Sequence, residues 1–99
     1  VTTTEAVLEA IRSVPKGKVA GYAQIAALAG VPNGARMVAR LLHSCSGKHR
    51  LPWWRIVRSN GTIALPENGG ASEQAALLKK EGVGFRSALK VDPAFFWTP

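Results

Sequence analysis

The sequence predicts a mainly α-helical domain with one small β-hairpin, on three observations. Apolar residues recur at helical spacing in successive stretches up to His43. Pro15, Gly30, Pro32 and Pro52 punctuate those stretches. Beyond Pro52 the pattern shortens to two β-prone runs around Ser59-Asn60-Gly61.

The elements follow in order. Thr2 and Glu5 have capping-box spacing, and Ala6, Val7, Ala10, Ile11 and Val14 then share one helical face. Pro15-Lys16-Gly17-Lys18 ends that helix in a basic turn. A second helix is expected from about Tyr22 to Ala29, with Ile25, Leu28 and Ala29 buried and Gly30 as its stop. Val31-Pro32-Asn33-Gly34 is a tight break with Asn33 as cap, and a third helix runs from about Ala35 to His43. Its apolar face is Met37, Val38, Leu41 and Leu42, and its other face carries Arg36, Arg40 and His43. Two short helices joined by a glycine-containing turn, the second with a basic stripe, read as a helix-turn-helix. Arg55 to Arg58 and Thr62 to Leu65 flank the Asn-Gly pair as a hairpin, which after a helix-turn-helix makes a wing. Pro66 to Ala71 is a polar loop, and Ser72 opens a last helix through Leu77 and Leu78 to Glu81, stopped by Gly82. The tail Phe95-Phe96-Trp97 is expected to clamp the C-terminus onto the core.

Ninety-nine residues suit one domain, 46% hydrophobic and 19% charged. Thirteen Lys plus Arg against six Asp plus Glu give a net charge of +7, which draws polyanions to the surface. Nucleic acid is the first expectation, so the fold reads as a winged helix-turn-helix DNA-binding domain. The single cysteine, Cys45, excludes an internal disulfide. No apolar run approaches the ~18 residues of a membrane span, and no signal-peptide pattern opens the chain. A cytoplasmic, DNA-associated monomer without cofactor or metal and without a membrane partner is expected.

Three groups of residues carry candidate chemistry. Arg36 stands between Ala35 and Met37, after Gly34 and with Ala39 one turn on. Small neighbours let a helix enter a minor groove of about 6 Å, and a long cation among them reaches into the duplex where a base has been extruded. A solvated arginine on an amphipathic helix is the plainer alternative. Tyr22, at the start of the second helix, suits a phosphate contact or a half-buried core position. In "LPWWRIV", Trp53 and Trp54 have neither a basic lone pair nor a nucleophile. They are therefore core, or a surface on which a base stacks. Extended backbone would send them to opposite sides, with Trp53 facing a pocket and Trp54 packing behind it.

"GKVAGYAQIAALAG", "GARMVARLL" and "LPWWRIVRSNGTI" together resemble the DNA-binding domain of the O6-alkylguanine-DNA alkyltransferases across essentially the whole chain. In that family the motif PCHRV holds the cysteine that accepts the alkyl group. Here Trp53 takes its place, as tryptophan does in the alkyltransferase-like proteins. The resemblance implies a protein that recognises O6-alkylguanine in double-stranded DNA without repairing it. It implies nucleotide excision repair proteins as partners. Tyr22 matches the tyrosine that rotates the target phosphate, and Arg36 the finger that fills the stack. Arg55 matches a structural anchor, and Glu81 the glutamate of a Glu–water–His–Cys relay whose other side-chain positions are both tryptophan here. Tyr22, Asn33, Gly34, Ala35, Arg36, Arg40 and Ser59 are the expected DNA contacts. Tyr22, Trp53, Trp54, Ile56, Pro66, Glu67 and Asn68 are the expected lesion pocket. Three positions depart from the family: Trp54 replaces a histidine, Cys45 an asparagine, and Pro66 an arginine found in some members.

Two other functions compete. An alkyltransferase using Cys45 would have its thiol at the C-terminal end of a helix, the wrong end for stabilising a thiolate. A winged-helix regulator reading the major groove would leave Gly34-Ala35 and the double tryptophan unexplained.

Overall fold

In the computed structural model the described residues are 2–31, 33–49, 51–65 and 70–98, with backbone alone for 44–49. Four helices, α1 (Thr3–Ser13), α2 (Tyr22–Leu28), α3 (Ala35–His49) and α4 (Ser72–Lys80), carry most of the regular secondary structure among the described residues. Four short strands join them: β1 (Ala20–Gly21), β2 (Ile56–Val57), β3 (Phe85–Ser87) and β4 (Lys90–Val91). No helix among the described residues is long and apolar enough to cross a membrane.

Thr2 caps α1 by accepting a hydrogen bond from the Glu5 amide at 3.1 Å, and Val7, Leu8, Ala10 and Ile11 form its buried stripe. Helix α2 ends in a Schellman turn: the Gly30 amide donates to Ala27 and the Val31 amide to Ala26. Gly30 takes φ +76°, which only glycine adopts without cost. Leu28, expected in the core, is 46% exposed, because Ile25 and Ala26 already fill the inward positions of so short a helix. Helix α3 continues six residues past the expected end at His43. No proline intervenes until Pro52, and Leu51 is the residue that proline pushes out of helical backbone.

The expected hairpin is the main correction. A tight turn does form at Ser59-Asn60-Gly61, closed by the Arg58 amide on the Thr62 carbonyl at 3.0 Å and the Thr62 amide on Asn60 Oδ1 at 3.0 Å. Its two arms do not build one hairpin, however. Strand β2 pairs in parallel with β1, Ala20 opposite Ile56 and Gly21 opposite Val57. The other arm bonds to the β4 side, the Ile63 amide donating to Leu89 and the Val91 amide to Gly61. The antiparallel hairpin of this fold is β3–β4, Phe85 opposite Val91.

Burial explains the choice. Ile56 and Val57 are adjacent and both buried, so the strand needs apolar cover on both faces, as parallel strands do. Ala20 and Ile56 face the helical cluster of α1, α2 and α3. Val19 and Val57 face a second cluster with Ile63, Ala75, Leu78 and Val91. The β1–β2 pair is thus a wall between two halves of the core. The tail closes both halves: Trp97 donates its amide to Val19 and packs on the first, and Phe96 packs on the second.

Candidate nucleic-acid interface and cavity

The turn between α2 and α3 fixes the angle of the second helix. Asn33 sits at φ 63°, a left-handed turn position and not the extended conformation of a cap. Gly34 stands immediately before α3, and its carbonyl accepts from the Val38 amide at 3.0 Å. A Cβ on Gly34 would lie 2.7 Å from Val31 Cγ1 and 2.8 Å from the Val31 carbonyl oxygen. Gly34→Ala is therefore expected to lose about 1–3 kcal/mol in urea unfolding, since the turn must open to admit the methyl. An unchanged midpoint would show that the turn yields freely.

Beyond that turn, Val38 and Leu42 anchor α3 in the core while Arg36, Ala39, Arg40 and His43 are exposed. Neither Arg36 nor Arg40 forms an ion pair among the described residues. Tyr22 opens α2 half-buried; burial pushes its phenol up, and the charge of Arg58 only partly offsets this, so the hydroxyl stays a neutral donor. Ser59 lies against the start of the same helix, its Cα 3.2 Å from where a Gly21 Cβ would stand.

A cavity of about 380 Å³ opens beside α3. Ala39, Leu42 and His43 form one wall, Trp53 and Ile56 another, and Tyr22, Ala64, Leu65 and Gln74 complete it. Of the residues expected there, Tyr22, Trp53 and Ile56 border it. Pro66, Glu67 and Asn68 lie outside the described residues, as does the side chain of Cys45, whose backbone is inside α3 and not at its end.

Trp54 does not border the cavity, which corrects its place in the expected pocket. Residues Trp53–Arg55 form a turn of 3₁₀ helix, not extended chain. With about three residues per turn, successive side chains diverge by about 120°. The two indoles meet edge to face, with centroids 6.1 Å apart at 85°. Trp53 packs on the helical half of the core and Trp54 on the other half.

Glu81 holds Trp54 there. Its Oε2 accepts from Trp54 Nε1 at 2.9 Å and from Arg55 Nη2 at 2.7 Å. Its Oε1 accepts from Arg55 Nε at 3.0 Å and from the Gly17 amide at 3.3 Å. Arg55 also donates to the Val14 carbonyl at 2.9 Å and lies over the Trp54 ring, 5.6 Å from its centroid. Burial alone would raise the Glu81 carboxyl, but hydrogen bonds from Arg55, Trp54 and Gly17 outweigh it and hold the group below the usual carboxylate range. Glu81 is thus a partly buried structural acceptor.

Sequence reasoning missed Ala39, Leu42, His43, Ala64, Leu65 and Gln74 as cavity residues. Gln74 had a readable signal. Ala71, Gln74, Ala75 and Leu78 fall on one helical stripe, and a polar residue on an inward stripe needs a partner. It has two: Nε2 donates to the carbonyls of Trp54 and Ile56, each at 3.0 Å.

Two short helices joined by a tight turn, the second with an exposed basic face, are the arrangement of a DNA-binding domain. The chain belongs to the family of the 6-O-methylguanine DNA methyltransferase DNA-binding domain, whose model matches residues 2–83. It is 32% identical to the Schizosaccharomyces pombe alkyltransferase-like protein 1 over 99 aligned residues, covering 94% of this chain and 92% of that protein. It is 38% identical to a DNA base-flipping protein of Vibrio parahaemolyticus over 73 residues, covering 74% of this chain and 72% of the relative. Among solved structures, S. pombe Atl1 in complex with damaged DNA containing O6-carboxymethylguanine superposes with a TM-score of 0.83 at 30% identity. That match covers 98% of this chain and 95% of the other.

Proposed function

We propose that this domain is a non-enzymatic sensor of O6-alkylguanine in double-stranded DNA, working as a winged helix-turn-helix. The observation that carries this reading is the cavity beside the basic face of α3, walled by Trp53, the residue that the resemblance in sequence sets where the family carries its alkyl-accepting cysteine. The S. pombe relative bound to O6-carboxymethylguanine DNA supports the ligand class.

The positive surface first collects DNA regardless of sequence. Helix α3 enters the minor groove, with the Gly34-Ala35 end slim enough for close approach. Tyr22 and Ser59 meet the backbone of the target strand, and Arg40 a neighbouring phosphate. Arg36 occupies the gap left in the stack when the base rotates out. An O6-alkylguanine pairs poorly, so its extrusion costs less than that of guanine, and its alkyl group gains apolar contact with Trp53 and Leu65. With tryptophan in both the acceptor and the histidine positions, no thiol is activated and no group is transferred. The bent complex is itself the signal, and nucleotide excision repair proteins are its readers.

Base extrusion is tested with a fluorescent pyrrolo-cytosine placed opposite O6-methylguanine. Its emission should rise on binding as its partner leaves the stack; a silent probe in a saturated complex would contradict flipping. Arg36→Ala should weaken binding to damaged and intact duplexes alike, by about tenfold or more in anisotropy titrations. Unchanged affinity for both would remove Arg36 from the interface.

A further inference from the structure

A second groove, of about 260 Å³, lies at the C-terminal end of α4, lined by Lys16, Trp54, Leu77, Lys80 and Glu81. It shares no lining residue with the cavity beside α3. Glu81 ties its two sides together: Oε1 accepts from the Gly17 amide, which holds the turn at residues 15–18 against the end of α4. The charge of Glu81 is answered by Arg55 at 2.7 Å. Lys16 and Lys80 are exposed and form neither an ion pair nor a ring contact among the described residues. Their neighbours differ, since Lys18 lies over Phe95 and Lys79 over Phe85. Glu73, one turn before Leu77 on the same side of α4, does not line the groove. Between the two unanswered cations the floor is hydrocarbon. Leu77 supplies part of it, and the one polar atom of the Trp54 indole is already spent on Glu81 at 2.9 Å.

We infer that this groove docks an acidic segment of a partner protein: one apolar side chain packs on Trp54 and Leu77, and flanking carboxylates reach Lys16 and Lys80. The lysines set the sign of the partner's charge, and the hydrocarbon floor sets its class. A nucleic-acid backbone would answer the lysines but bring nothing to the floor, whereas a peptide supplies carboxylates and an apolar side chain from adjacent residues. None of the residues assigned to DNA in the proposed function, Tyr22, Arg36, Arg40 and Ser59, lines this groove. The inference rests on that reading for its purpose, because a reader of the bent complex must hold the domain while α3 is engaged. The resemblance in sequence sets Trp54 where the family carries histidine, so the apolar floor belongs to this chain and not to the fold.

The probes are two short peptides of alternating Asp and Glu, one with a central Phe and one with Ser in its place. They are titrated into the isotope-labelled domain, with the Trp54 indole N–H followed by NMR and the Trp53 indole as internal control. The Phe peptide should shift the Trp54 indole and the Lys16 and Lys80 amides to saturation, and bind about tenfold more tightly than the Ser peptide. Lys16→Gln combined with Lys80→Gln should weaken it about fivefold and leave the ratio of affinities for O6-methylguanine and guanine duplexes unchanged. Trp54→His should erase the advantage of Phe over Ser. Thermal melting reports whether that variant is folded, and if it is not, the two peptides and the lysine variant decide. Equal binding of the two peptides, shifts that map to α3, no binding, or undiminished affinity in the lysine variant overturns the inference. So does loss of the Phe peptide from a domain saturated with unmodified duplex, which would assign the groove to nucleic acid. The peptide titrations of the free domain involve no lesion, so a domain that fails to separate O6-methylguanine from guanine sinks the sensor reading alone.

Discussion

Trp53→Ala is expected to collapse the ratio of affinities for damaged and intact DNA while leaving the intact duplex bound nearly as before. Base stacking on an aromatic side chain contributes about 1–3 kcal/mol, so the ratio should fall by roughly fivefold to a hundredfold. On the proposed reading only an extruded base meets the indole, because Trp53 borders the cavity while Arg36 and Arg40 of α3 do not. Trp53 also packs on the helical half of the core, so some loss of stability will accompany the change. The ratio, measured on one folded preparation, is insensitive to that loss. A ratio unchanged in Trp53→Ala would return Trp53 to a purely structural role.

Glu81→Ala is expected to have the largest effect on stability. Removing the carboxylate leaves Arg55 and the Trp54 indole N–H without their partner at a site where the two charged side chains are 15% and 10% exposed. Breaking a fully buried pair from one side costs about 3–5 kcal/mol; for this partly buried one about 2–3 kcal/mol is expected, still a large share of the stability of a domain this size. Urea unfolding measures it directly, and a loss below about 1 kcal/mol would show that Arg55 rests on Val14 and the Trp54 ring alone. The lowered Glu81 pKa adds a pH signature. Its contribution is fully present above the ordinary glutamate value of 4.5 and is lost as pH falls through the lowered value of the folded state. Glu81→Gln, though less stable, should therefore show a flatter stability curve across that acid window than the wild type.

The sequence disclosed the helices because their information is local. The Thr2 cap, the Gly30 stop and the apolar spacing of α1 and α3 are each written within one or two turns. The sheet was illegible for the opposite reason. Ile56-Val57 pairs with Ala20-Gly21 from the other side of two helices, and no local pattern announces a partner at that separation. The Asn60-Gly61 turn was correctly placed, but a turn does not say which strand each arm will join. The two tryptophans show the same limit. They do face different halves of the core, yet through a 3₁₀ turn and not the extended chain their spacing suggested. The cavity draws on residues from α2, α3, α4 and the segments around Trp53 and Leu65, so it exists only once those elements are packed.

Selective binding by Trp53's cavity is the central claim, and one titration tests it most directly. Two matched duplexes, identical except for guanine or O6-methylguanine at one position, are titrated by fluorescence anisotropy at one fixed salt concentration. Clearly tighter binding to the methylated duplex is the predicted result. Equal affinity for the two would contradict the account and leave a basic DNA-binding domain in which Trp53 serves the core.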